Sequence, residues 1–443
     1  MKNIVVLILL IYVSFACMKG KKVDVIFHNA TINLLDDNQN MQEAMAVKDG
    51  KIIETGPERQ ILNKYSAKQT IDLQQRNVYP ALICPFVPYN QLMIQLQSSD
   101  LKSIQTENSI LTLVEKHFSS TPEPTNFISL NIPVKFQDKT LNFYQILSEK
   151  YKNKMFILYS KINNIVIFKL KNETFKELKL SENKIHNWIT KTIQFEINSK
   201  RKNIDQLLTT YLENGYTTLD IPIDNQKDLE IIEKISTAKK LTIHYYLSED
   251  IIRNTKKLSE KKFAGLLIDT MANLLQQISF AKAKGLTVLF PSNLNTNNRI
   301  VVQSKLSDYT KDHRWKIIIN TPPTNEELDF YTNNNFSMVF NSELKYSLPT
   351  ELTYFTIQNK SSNPTNFSTL IQEQKIIATD LPNTVLFSQT KWASYQNFEE
   401  LNLGTLEKNK WATFIVMNSK INKSSTNFPL QIYSKGKIIY NAY

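Results

Sequence analysis

The chain predicts an α/β fold whose centre is a parallel βα barrel. Helical and strand segments alternate from Lys139 to Asp380, as that architecture requires. Strand-and-turn stretches stand at both ends, over 23–73 and 403–440. Where the N-terminal stretch gives way to the middle lies one apolar segment, Val78-Tyr79-Pro80-Ala81-Leu82-Ile83-Cys84-Pro85-Phe86-Val87-Pro88-Tyr89. It reads as a buried strand running into a loop.

Residues 1–17 carry Lys2, an apolar run from Ile4 to Val13 and small residues before Cys17. That run is too short for a stable membrane span and fits the core of a signal peptide. Its ending, Ser14-Phe15-Ala16-Cys17, resembles a loose bacterial lipoprotein box, which implies that Cys17 is lipidated and anchors the protein in the cell envelope, on the periplasmic side or at the surface. Plain secretion with cleavage nearby is the other reading. Lys19, Lys21 and Lys22 suit anionic headgroups. Only Cys84 then remains, so no intrachain disulfide is possible.

From Val23 to Leu73 the pattern is strands and turns. Val23 to Ile32 alternates, and Asp49-Gly50 between Ala44–Val47 and Ile52–Gly56 is a hairpin signal, because Asp-Gly supplies positive φ. The middle expects a helix over 139–151 followed by a strand at Met155–Tyr159. It then expects a helix over 203–214 closed by Gly215, with a strand at Tyr216–Ile221. Further strands are expected at Leu241–Tyr246, Phe263–Asp269, Leu286–Phe290, Trp315–Ile319, Phe336–Phe340 and Lys375–Asp380. Helices are expected over 229–239 and 271–284, and from Thr324 with Glu326 and Glu327 in its first turn. Regions 93–135 and 341–373 carry no clear pattern.

The formal charge is +12, but the lysines are scattered, with no basic helix and no aromatic-interleaved patch, which argues against nucleic acid as a partner. There are 8 glycines, and six of them (Gly50, Gly56, Gly215, Gly285, Gly404 and Gly436) fall at turns or helix ends rather than in a loop that a substrate would approach.

Both ends resemble the amidohydrolase superfamily. The run A-V-K-D-G-K-I-I-x-x-G followed by I-D-L-x-x-x-x-V-x-P, over 44–80, is similar to the first half of its small β-sandwich. Leu403–Met417 and Tyr433–Tyr440 are similar to the second half. The resemblance implies that the termini meet and that the middle is the barrel. Residues 1–17 are then the signal peptide, 23–78 with 404–443 a composite β-sandwich, and 79–403 a (β/α)8 TIM barrel. Gly215–Asp220, Leu241–Leu247 and Ala283–Val288 further resemble the branch related to N-substituted formamide deformylase.

The same resemblance implies a metal site of four His, a Lys or Glu bridge and an Asp that takes a proton from metal-bound water. The strand that opens such barrels reads V-x-P-G-x-I-D-x-H-V-H. Here Cys84 stands for the Asp, and Phe86 and Pro88 stand for the two His; neither side chain offers a lone pair. Pro291 stands for a later His, and the His after His313-Arg314 matches Ile317 or Ile318. The chain has 5 His (28, 117, 186, 244 and 313), and none are two apart. His28 reads as structural. His244 lies inside its strand rather than at the C-terminal end, where barrel chemistry occurs. Asp380, in Ala378-Thr379-Asp380-Leu381-Pro382, resembles the family's catalytic G-S-D-x-P and is the one surviving motif position. Its other reading is a cap after the strand. Cys84 is a conceivable ligand or nucleophile, or simply a buried thiol.

The expectation is therefore a degenerate amidohydrolase-like barrel on a membrane-anchored lipoprotein, without cofactor, that has lost metal-dependent hydrolysis and binds or scaffolds an unknown protein or small molecule. The alternative is a divergent hydrolase of amide C–N bonds that uses zinc or another divalent metal.

Overall fold

The computed structural model describes residues 20–120, 126–160, 162–180, 197–254, 263–268, 270–307, 311–341, 355–358, 381–421 and 428–443, with Ile185, Trp188, Ile189, Thr192 and Tyr309. Cys17, Asp380 and the strand expected at 375–380 lie outside these residues.

The two chain ends share one eight-stranded sheet. Lys21–Asn33 runs parallel to Tyr65–Pro80 and antiparallel to Ala44–Lys48. Lys51–Gly56 closes the expected hairpin, with Asp49 and Gly50 both at positive φ (51° and 76°), as a tight hairpin turn demands. The C-terminal strand Phe414–Met417 pairs with the other edge of Tyr65–Pro80, matching Phe414 with Pro80 and Val416 with Val78. Gln431–Ser434 and Lys437–Asn441 extend the sheet. The junction is packed by three rings, with Phe414 stacked on Tyr433 at 4.7 Å and Phe27 edge-on to both at 4.9 and 5.0 Å. Glu58–Lys64 is a short helix that the alternation did not suggest.

A second sheet holds eight parallel strands in chain order. They are β1 (Leu82–Cys84), β2 (Tyr216–Ile223), β3 (Thr242–Leu247), β4 (Phe263–Leu267), β5 (Thr287–Phe290), β6 (Lys316–Ile319), β7 (Ser337–Asn341) and β8 (Thr356–Gln358). Helices at Gln226–Lys239, Glu249–Asn254, Leu274–Lys284, Thr296–Leu306 and Asn325–Asn333 make the crossovers that parallel neighbours need. Asn225 caps the first of these, and Thr324 with Glu327 forms a capping box on the last. The strands read as apolar runs because helices and the sheet's own interior cover both faces. Ile317, Ile318 and Ile319 are all buried.

This sheet is curled. In a flat sheet β2 and β6 would stand four spacings apart, about 19 Å at ~4.8 Å each, more than two side chains can span. Yet Asp220 of β2 and Lys316 of β6 touch.

Residues 88–207 form a compact unit of their own inside the stretch expected to be barrel. Their sheet of five runs Lys176–Lys179, Ile165–Lys169, Met155–Ser160, Asn126–Leu130 and Ser98–Asp100. The helix at Asn142–Lys150 and the strand at Met155–Ser160 form much as expected, but in this sheet rather than the parallel one. Periodicity predicts an element and leaves its sheet undetermined. Phe118, Phe127, Phe143 and Phe156 fill this unit's core. Lys169 is buried there, its ammonium donating to the carbonyls of Tyr151, Lys152 and Lys154 at 3.0 Å each, which satisfies all three N–H groups without a carboxylate.

Candidate functional site

The interior of the parallel sheet is charged. Asp220, fifth residue of β2, pairs across the ladder with His244, third of β3, so both side chains leave the same face. The His244 Nδ1 lies 3.0 Å from Asp220 Oδ1. The Lys316 ammonium, from the first residue of β6, bonds Asp220 Oδ2. It also donates to the Pro85 carbonyl at 3.1 Å and to Asn397 Oδ1 at 3.0 Å. Asn397 Nδ2 in turn donates to Asp220 Oδ1 at 2.9 Å. On its far side His244 Nε2 stands 3.7 Å from Glu399 Oε1. The side chains of Lys316, Asp220 and His244 are 0%, 1% and 8% exposed.

Burial opposes the charged form of all three groups, and in each case the partners outweigh it. Asp220 is held below its ordinary value because the Lys316 and His244 charges overcome the cost of burial. His244 is raised because Asp220 and Glu399 overcome the same cost. Lys316 is raised, chiefly by the Asp220 charge against burial. The cluster thus sets Lys316 and His244 between the Asp220 and Glu399 carboxyl groups. Tyr246 lies beneath the ammonium, its ring centre 5.4 Å from Nζ.

Arg314 positions the segment that supplies Asn397 and Glu399. Its guanidinium lies 3.7 Å from the Tyr395 ring centre and 4.2 Å from that of Phe398, and it bonds Glu400 at 2.9 Å and Asp312 at 2.8 Å. A planar cation held between two rings suits arginine and not lysine.

Of the positions singled out in the sequence, Cys84 and Phe86 lie beside this cluster. Phe86 is half-buried and packs with Tyr246, Leu289, Ile318 and Val339. Val87, between Phe86 and Pro88, donates its N–H to the Asp220 carbonyl at 2.8 Å. Pro88 precedes the helix Tyr89–Leu96 at its N-cap. Pro291 follows β5, and its carbonyl accepts from Asn320 Nδ2 at 2.9 Å. The Cys84 thiol donates to the Phe86 carbonyl at 3.4 Å, and burial pushes its pKa up to about 12. His28 meets Glu58 at 2.6 Å, and His117 meets the Asn126 carbonyl at 2.7 Å. His313 accepts from the Trp315 N–H at 3.0 Å, and burial lowers it to about 4. His186, Asp380 and Cys17 lie outside the described residues.

Among the described residues no three His, Cys, Asp or Glu side chains gather as a metal site would require. The chemistry agrees with that geometry. Both oxygens of Asp220 are engaged by Lys316, His244 and Asn397, and the Cys84 thiol stays protonated, whereas zinc needs deprotonated N, S and O donors that are free to bind. The described residues do not fit a divalent ion.

Sequence reasoning passed over Lys316, Asp220, Asn397 and Glu399. The signal for the first two was present. One charged residue inside Trp315-Lys316-Ile317-Ile318-Ile319 and one inside Leu219-Asp220-Ile221 must each find a partner if the strands are buried.

No family model and no curated protein sequence matches the chain. Solved structures do. An uncharacterized metal-dependent hydrolase from Pyrococcus furiosus is 12% identical, with a TM-score of 0.69 over 89% of this chain and 99% of its own. An adenosine deaminase from Xanthomonas campestris with bound zinc is 10% identical, with a TM-score of 0.59 over 95% and 93%. An atrazine chlorohydrolase from Arthrobacter aurescens TC1 complexed with zinc is 10% identical, with a TM-score of 0.55 over 94% and 95%. At such identities the likeness is one of fold.

Proposed function

We propose that this chain is a divergent relative of the metal-dependent hydrolases whose fold it shares, and that its sheet interior now serves binding or scaffolding. The observation that carries this is the buried Lys316–Asp220–His244 cluster, an ionic core beside Phe86, one of the positions where the resemblance puts a metal ligand. Full closure of the barrel, a sandwich arrangement of the end sheet and attachment to a membrane through lipidated Cys17 belong to this reading, as does a protein or small molecule as the bound partner.

A second reading is favoured by the comparisons: a divergent hydrolase of non-peptide C–N bonds. The similar structures include an adenosine deaminase and other hydrolases, matched over about nine-tenths of both chains. Fold alone does not transmit an activity, and this reading needs a site beyond the described residues, with Asp380 its one motif position.

One experiment separates them. Full-length protein, purified without chelator and supplied with zinc or manganese, is assayed on N-formyl amines, simple amides, aminopurines and a chlorotriazine. No turnover above the Asp380→Ala variant supports the binding reading; turnover abolished in that variant establishes the hydrolase. For the anchor, Cys17→Ser should end palmitate labelling and release the protein from membranes; unchanged labelling would remove the lipoprotein assignment.

A further inference from the structure

The interior cation of this fold belongs to the chain itself. An ammonium has three N–H groups, and that of Lys316 has three oxygen partners, Asp220 Oδ2, the Pro85 carbonyl and Asn397 Oδ1. They come from three separate stretches: β2, the turn after β1, and the residues that follow the helix Lys391–Gln396. Two of these are further tied by the Val87 N–H to the Asp220 carbonyl at 2.8 Å. The ammonium therefore draws together strands that no backbone ladder connects, since β2 and β6 are not neighbours in the sheet. It does so over Tyr246, which packs with Phe86, one of the residues that stand in place of ligands.

We propose that the Lys316 ammonium has taken over the structural role of a bound divalent cation, holding β2, the β1 turn and the Asn397 segment around one interior positive charge. A metal ion joins oxygen and nitrogen donors from separate strands, and its binding free energy becomes folding free energy. A buried ammonium bonded to a carboxylate, a carbonyl and an amide oxygen makes the same kind of junction with no metal to acquire or lose. The groups facing it are the Asp220 carboxylate, His244 with Glu399 beyond it, and Tyr246, Cys84 and Asn397. This inference goes beyond the functional reading, because its readout is folding rather than turnover.

The test is cation rescue in the full chain. Thermal unfolding is followed for wild type, Lys316→Ala and Lys316→Arg, each with EDTA and with added zinc. Wild type should unfold at one temperature under both conditions. Lys316→Ala leaves Asp220 buried with its Oδ2 stripped of its partner, so it should unfold on the order of 10 °C lower in EDTA. Zinc should then recover at least half of that loss, because Asp220 Oδ2, the Pro85 carbonyl and Asn397 Oδ1, which the ammonium vacates, can accept a cation. Lys316→Arg keeps the charge in a larger head and should lie between the two, with no zinc response. Should Lys316→Ala fail to fold in EDTA, soluble folded protein obtained only with zinc in the medium counts as the same rescue. A Lys316→Ala protein as stable as wild type, one that zinc leaves unrecovered, or a wild type that EDTA destabilises would each overturn the proposal.

Discussion

Asp220 and Lys316 stand 96 residues apart in sequence, on the second and sixth strands of the parallel sheet, and meet with side chains 1% and 0% exposed. A pair this deep forfeits the solvation of both ions. It persists because Asn397, Pro85 and His244 fill the remaining hydrogen-bonding positions.

Breaking the pair from the acid side should therefore be costly. Asp220→Ala strands the ammonium and should destabilise the protein by about 3–5 kcal/mol. The double variant Asp220→Leu with Lys316→Met, which removes both charges, should recover most of that. Urea unfolding of wild type, Asp220→Leu, Lys316→Met and the double variant gives the coupling directly. A loss of less than about 1 kcal/mol for Asp220→Ala, the range of exposed pairs, would mean that the cluster is hydrated in solution.

Stability should depend on pH at both ends of the range. His244 is raised above its ordinary 6.5 in the folded protein, so its contribution is complete below that value and is lost as pH rises through the folded pKa. Asp220 is lowered below 3.8, so its contribution is complete above that value and is lost as pH falls through the folded pKa. Chemical denaturation between pH 6 and 9 should show wild type weakening with rising pH. His244→Gln should weaken less over the same window. Parallel slopes for the two proteins would remove His244 from the cluster's balance.

The Cys84 thiol should be silent. Burial holds its pKa up to about 12, so the thiolate that reacts with disulfide reagents is scarce at pH 8. Labelling by an aromatic disulfide should proceed at the rate of unfolding and speed up with urea. Immediate labelling of the native protein would reopen Cys84 as a nucleophile.

The shared end sheet makes a long-range prediction. Removing residues 404–443 strips Phe414–Met417 from the edge of Tyr65–Pro80 and takes Phe414 and Tyr433 from beside Phe27. It also removes the Lys410 carbonyl that accepts from the Ile52 N–H at 2.9 Å. An exposed edge and a bare apolar face follow. Limited proteolysis at Lys48–Lys51 should accelerate strongly in the truncated protein. Equal protection there would show that the N-terminal strands stand without the C-terminus.

How much of this was legible in the sequence differs from one element to the next. The Asp49-Gly50 hairpin and the Thr324 cap were legible because each rests on a local rule that tertiary context seldom overrides. The joining of the ends was legible only through resemblance, since nothing in residues 44–80 alone calls for Phe414–Met417. Met155–Tyr159 was seen as a strand but set in the wrong sheet, because an apolar run of that length carries no address. Lys316 and Asp220 were overlooked because motif matching looks for histidines at fixed places. A lysine in an isoleucine strand becomes meaningful only when its partner across the sheet is known. Asn397 and Glu399 gave no signal at all, lying in a polar loop whose position depends on Arg314 between Tyr395 and Phe398.

The claim that an internal ion pair stands where a metal centre would is tested most directly by elemental analysis. Full-length protein purified without chelator, in medium containing zinc, iron, nickel and manganese, is measured for metal per chain. The expected content is well below one ion per chain. One ion per chain, reproducible across preparations and lost on Asp380→Ala, would contradict it and place a working metal site in this fold.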